Sequence, residues 1–92
     1  MMHDRGDRIE VTGAMTMAAA AGLLAEGTAF LGRVDALFDL SGVTEVDSSA
    51  LAVVFGWQRA AQRLNKTVRI ANPPHNLLSL ADVYGVGELL PL

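Results

Sequence analysis

The sequence predicts a single small α/β domain built on a parallel or mostly parallel sheet. Two observations carry this. The chain has 92 residues, room for one domain. Segments of strand and helix character alternate in the order β, α, β, α, β, α, and in a chain this short that order implies strands joined by crossover helices. No internal repeat or low-complexity linker divides the chain, so the domain is expected over residues 8–92. Residues 1–7 are polar, contain a glycine, and are expected to be a flexible lead-in, with a strand there left open.

The elements follow in order. Arg8-Ile9-Glu10-Val11-Thr12 alternates polar and apolar, the period of a half-buried strand, and Gly13 is expected to end it. Thr16 is a candidate N-cap for a helix from Met17 to Glu26, weakened by Gly22 inside it, with Gly27 as the C-terminal stop. Residues 28–32 fit either a loop or a further turn. Val34 to Leu40 reads as an inner strand covered on both faces, which Ser41-Gly42 should break. Asp47-Ser48-Ser49 are three capping-type residues ahead of a helix over Ala50–Leu64. Leu51, Val54, Phe55, Ala61 and Leu64 mark its apolar face, opposite Gln58, Arg59, Gln62 and Arg63. Thr67 to Ala71 is a short β-branched strand, and Pro73-Pro74 sets a new helix start. Leu77, Leu78, Leu80, Ala81 and Val83 form that helix's apolar face. Gly85 and Gly87 close it, and residues 88–92 are a short apolar tail whose contribution to the sheet is open.

Composition excludes several functions. There is no cysteine, which removes disulfides, thiolate metal sites and cysteine nucleophiles. Net charge is −3 with the basic residues scattered, so no electrostatic footprint for nucleic acid is present. Apolar residues make up 51% and charged residues only 18%, yet no apolar run reaches the length of a membrane span. A cytoplasmic domain is expected, with an uncovered apolar patch of the kind that marks a protein interface.

The candidate site is Val46-Asp47-Ser48-Ser49-Ala50-Leu51, a loop opening onto a helix. Free N–H groups and the helix dipole stabilise negative charge at such a place, so a serine there would tolerate a phosphate. Capping alone, by Asp47 or Ser48, explains the same residues. Catalytic readings are weaker. His3 lies in the lead-in and His75 follows Pro73-Pro74, so neither is placed to complete a triad with Ser48 or Ser49. Asp35 and Asp39 would sit about 13 Å apart on an extended strand; solvation or capping accounts for them, and for Glu45 and Asp47, better than a metal. Gly85-Val86-Gly87 precedes no helix and is no phosphate loop. Trp57 falls between the two sides of the long helix, as half-buried packing or as an interface anchor. Tyr84 is expected to cover the end of the core, and Met15 and Met17 to lie in the core or at its edge. No cofactor is expected.

The run Phe38-Asp39-Leu40-Ser41-Gly42-Val43-Thr44-Glu45-Val46-Asp47-Ser48-Ser49-Ala50-Leu51 resembles the central motif of STAS domains. There a hydrophobic strand ends in D-[LFM]-S and a short loop leads to D-[ST]-[SG]-[GA]-[LA] at a helix start. The resemblance extends from Arg8 to Leu92 and implies a small mixed sheet with helices largely on one face. Two branches compete. Anti-sigma-factor antagonists carry D-S-S-G-L, and their phosphorylated serine would fall on Ser49, with an anti-sigma kinase as partner. The other branch is the STAS subunit of phospholipid-trafficking ABC transporters of the Mla type, which binds the cytoplasmic ATPase through a surface including the position of Ser48. Three features resemble the transporter branch: Gly13-Ala14-Met15-Thr16 in place of G-E-[LI]-D, Ala50 in place of glycine, and Leu80-Ala81-Asp82-Val83-Tyr84-Gly85-Val86 with Leu89-Leu90-Pro91. The chain also shows no obvious extra leading strand. The resemblance implies a non-enzymatic accessory subunit, cytoplasmic and held at the inner membrane only through the transporter. Its contact surface would comprise Asp47, Ser48, Ser49, Ala50, Leu51, Trp57, Gln58 and Arg59.

Overall fold

The computed structural model describes residues 1–31 and 35–92; Val34, expected to begin the inner strand, lies outside them. The elements are β1 (Met2–Asp4), β2 (Ile9–Met15), α1 (Met17–Leu31), β3 (Ala36–Val46), α2 (Ser48–Arg63), β4 (Val68–Ala71) and α3 (His75–Val83), followed by a 3₁₀ turn at Gly87–Leu89. The sheet order is β1-β2-β3-β4, with β1 antiparallel to β2 and the other pairs parallel. Two right-handed crossovers advancing in the same direction put α1 and α2 on one face, and there they pack against each other.

That face explains the alternation. Ile9 and Val11, Ala36, Phe38 and Leu40, and Val68 and Ile70 are all buried. Glu10 pairs in register with Asp39, and Asp39 with Ala71, along the opposite, more polar face. Asp39 is the one buried charged side chain among the described residues. It accepts from the Ser41 N–H (3.0 Å), Asn72 Nδ2 (3.1 Å) and Arg8 Nε (3.2 Å). The Ser41 N–H, then Asn72, hold its carboxyl below the usual range against the opposing effect of burial.

Several expectations are corrected. Residues 1–7 are not a lead-in throughout, because Met2–Asp4 forms an edge strand and Met2 is buried. Gly13 does not end its strand: at φ +88° it carries β2 onward to Met15, in a conformation that favours glycine. Ser41-Gly42 does not break β3 either. Between the pairs Glu10–Asp39 and Thr12–Gly42, β3 advances one residue more than β2, so a bulge absorbs Ser41.

Gly27 is not a stop. The helix runs on to Leu31, and the Thr28 hydroxyl bonds back to the Leu24 carbonyl at 2.8 Å. Gly27 is instead buried where α1 crosses α2, and a methyl group there would overlap the indole of Trp57. Trp57 is fully buried, stacked on Phe38 with ring centroids 4.1 Å apart, and its Nε1 donates to the Leu23 carbonyl at 3.1 Å. Met15 is in the core, whereas Met17 is exposed. Leu64, Leu78, Val83 and Tyr84 are also exposed, so Tyr84 does not cover the core. The tail does reach the sheet: Leu90 is buried, and the Pro91 carbonyl accepts from the Ile70 N–H at 2.8 Å along the free edge of β4.

Candidate functional site

The parallel strands β2 and β3 finish side by side, Met15 opposite Val46, and both helices spring from that end. Asp47 sits in the turn with extended backbone (φ −131°, ψ −171°) and caps α2, its Oδ1 accepting from the Ser49 N–H at 2.8 Å. Its Oδ2 accepts from the Met17 N–H at 3.0 Å. One carboxylate therefore ties down the first turns of both helices, and the oxygen serving the start of α1 belongs to Asp47. The Met17 N–H, and after it the Ser49 N–H, lower the Asp47 pKa against desolvation. A cap of α2 by Asp47 or Ser48 was legible, and it is Asp47; its hold on α1 joins residues 30 apart in the chain and leaves no local signal.

Beyond the cap the predicted residues separate by depth. Ser48 is exposed and Ser49 half-buried, while Ala50 and Leu51 are buried beneath them. A helix turns about 100° per residue, so Ser48, Ala52, Phe55, Arg59 and Gln62 form one stripe along α2. All five are exposed except Phe55, which is half-buried. Phe55 was expected on the apolar face. It packs against the core from its rim and falls in the middle of this stripe, at a shallow groove of about 300 Å³ with Gln58, Arg59, Gln62 and Leu89. Gln58 is half-buried beside the stripe. Arg59 stands about 16 Å along the axis from Ser48 on the same side. Trp57 points into the core and cannot meet a partner directly.

The remaining polar residues have structural work. The Asp35 carboxylate accepts from the Thr67 N–H at 2.8 Å, joining the entry of β3 to that of β4. No group of three His, Asp or Glu suited to a metal occurs among the described residues. His75 lies 3.4 Å from the Ser79 hydroxyl on α3, and His3 is on the edge strand β1. No helix is long and apolar enough to cross a membrane among the described residues.

A four-stranded mixed sheet with its helices on one face, and a capped serine loop at the strand ends, defines a STAS-type domain. Solved structures share the fold. The anti-sigma factor antagonist SpoIIAA in its unphosphorylated form aligns with a TM-score of 0.66 at 14% identity, over 89% of this chain and 80% of that one. The Bacillus cell fate determinant SpoIIAA in the phosphorylated form gives 0.69 at 14% identity, over 98% and 86%. At such identity the likeness concerns the fold alone. The family model described as "Mlab, STAS domain" matches residues 1–91, and the chain belongs to that family. It is also 41% identical over 51 residues to the intermembrane phospholipid transport system binding protein MlaB of Haemophilus influenzae. That match covers 55% of this chain and about half of the relative, 49%.

Proposed function

We propose that the protein is a non-catalytic accessory subunit that binds, and regulates or stabilises, the cytoplasmic ATPase of a phospholipid-trafficking ABC transporter. It reaches the inner membrane only through that complex. The observation that carries the reading is the Asp47-capped loop, which presents Ser48 to solvent at the head of a largely exposed stripe that runs through Arg59 to Gln62. The stripe offers small residues, one half-buried aromatic ring and one cation. That mixture suits a protein surface, since aromatic residues and arginine are enriched in such contacts. Family membership and the similarity to MlaB supply the partner's class. Of the residues expected to touch the partner, Ser48, Gln58 and Arg59 do so directly in this reading. Asp47, Ser49, Ala50 and Leu51 shape the loop, and Trp57 supports it from beneath.

The test is a titration of the full chain against the purified ATPase of the cognate Mla-type transporter. Ser48→Arg should weaken binding at least about tenfold, or about 1.4 kcal/mol, because it adds a large charge at a close contact. Affinity equal to wild type would remove Ser48 from the interface. Phosphate appearing on Ser49 after incubation with ATP and an anti-sigma kinase would replace this reading with that of a phosphorylation-controlled antagonist.

A further inference from the structure

We propose that Asp39 is a positioning residue for the Ser48 loop: by holding a bulge in β3 it brings Asp47 level with the start of α1. Its effect on affinity rests on the docking reading above; the placement of Asp47 does not.

Over the stretch they share, β3 advances further than β2. Between the pairs Glu10–Asp39 and Thr12–Gly42 it takes in the extra residue Ser41, and between Gly13–Val43 and Ala14–Glu45 the extra residue Thr44. The side chains record both insertions. Ala36, Phe38 and Leu40 enter the core at alternate positions, and the next to pack against it are Val43 and Val46, each three further on. With both bulges in place Val46 finishes opposite Met15, where the Asp47 carboxylate reaches the Met17 and Ser49 N–H groups.

An inserted residue in a bulge loses its ladder partner, and its N–H needs another acceptor. For Ser41 that acceptor is Asp39 Oδ1, at 3.0 Å. The carboxylate is itself held from both neighbouring strands, by Arg8 Nε on Oδ2 and by Asn72 Nδ2 on Oδ1. Gly42 fits the same bend, since a methyl group there would lie 3.1 Å from the Val11 carbonyl oxygen. If Ser41 rejoined the ladder while Thr44 stayed out, Val43 and Val46 would turn to the polar face. The turn at Asp47 would then move about 3.3 Å further past the end of β2, breaking its bond to the Met17 N–H.

The test separates the acceptor from the charge. Asp39→Asn keeps an oxygen for the Ser41 N–H and loses the negative charge; Arg8 is partly exposed and already reaches Asp7. Asp39→Ala loses both. With the full chain and the same purified ATPase, Asp39→Ala should raise Kd about tenfold while Asp39→Asn stays within about twofold of wild type. In the free protein the amide resonances of Met17 and Ser49 should shift in Asp39→Ala and keep their wild-type positions in Asp39→Asn. Val68→Ala controls for stability: Val68 is buried on β4 opposite Ala36, away from both bulges, so the change should lower Tm and move neither resonance. Unmoved resonances in Asp39→Ala would overturn the positioning role. If Asp39→Ala does not fold, Asp39→Asn decides alone, and shifted Met17 and Ser49 resonances there would overturn it equally. If the resonances behave as stated while Ser48→Arg and Asp39→Ala both bind like wild type, the docking reading fails and the placement of Asp47 by Asp39 stands.

Discussion

The two helices that cover the sheet bury themselves in different ways. α1 is the more apolar, with Glu26 as its one charged residue, yet only Leu23, Gly27 and Leu31 are buried along it. α2 carries glutamines and arginines and buries Ala50, Leu51, Val53, Val54, Gly56, Trp57, Ala60 and Ala61. The difference teaches that burial follows the pattern of side chains more than their total hydrophobicity. In α2 the polar residues collect on one side, so the opposite side can be driven into the core. In α1 the alanines are spread around the helix and confer no preferred face. Its orientation comes instead from a narrow line of contacts four residues apart, with a glycine at the point of closest approach.

The largest way to break this comparison is at Trp57, where the packing of both helices converges. Trp57→Ala should cost about 3–5 kcal/mol, a large part of the stability of a small domain, read as a drop in the urea midpoint. Next is Gly27→Ala, which should cost about 1–3 kcal/mol by overpacking, because the obstacle is a buried indole with no room to retreat. Gly56→Ala sharpens the point. A methyl there would come within 2.6 Å of the end of the Leu24 side chain, which is partly exposed and can swing away. Its cost should be much smaller than that of Gly27→Ala in the same denaturation experiment.

Gly22→Ala should act in the opposite direction. Nothing lies within 4 Å of a methyl at that position, and the residue is in mid-helix. The gain should be about 0.5–1 kcal/mol, visible as a raised Tm. If Gly22→Ala and Gly27→Ala had equal effects, helix propensity and not close approach would govern α1.

The smallest effect concerns pH. Asp39 and Asp47 both have folded-state pKa values below their ordinary value, chiefly through the Ser41 N–H and the Met17 N–H respectively. Each thus contributes stability above the ordinary carboxylate range, near pH 4, and loses it as pH falls through the lowered folded value. Tm should fall on acidification below about pH 4, and less steeply in Asp39→Asn. An equal slope would place the acid sensitivity elsewhere.

The order of elements from β2 onward, a cap at Asp47 or Ser48 and the span of α2 to within two residues were readable from the chain because each is written in neighbouring residues. What was not readable depended on distant partners. Gly27 closing a run of helix formers has the form of a stop, and only Trp57, thirty residues later, makes it a packing position. Gly13 and Ser41-Gly42 have the form of strand ends, but parallel pairing with a bulge carries both strands through. Met2-His3-Asp4 is too short to show a period, and it becomes a strand because β2 offers an edge. Trp57 lay on the boundary of the α2 wheel, where periodicity gives no preference; Phe38 and Leu23 decide it. For the candidate site, the loop was recognised, whereas the inclusion of Ala52 and Phe55 and the link to Met17 required the folded geometry.

The bond from the Ile70 N–H to the Pro91 carbonyl has a consequence for solubility. β4 is the last strand of the sheet, and without the tail its outer side would present free backbone donors to any extended chain it met. Residues 90–92 act as a selvedge along part of that side, where the Pro91 carbonyl takes up the Ile70 donor. A protein lacking residues 91–92 should keep buried Leu90 and its helices yet associate edge to edge as its concentration rises, so two residues that add nothing to the core would govern whether the domain stays apart from its own copies.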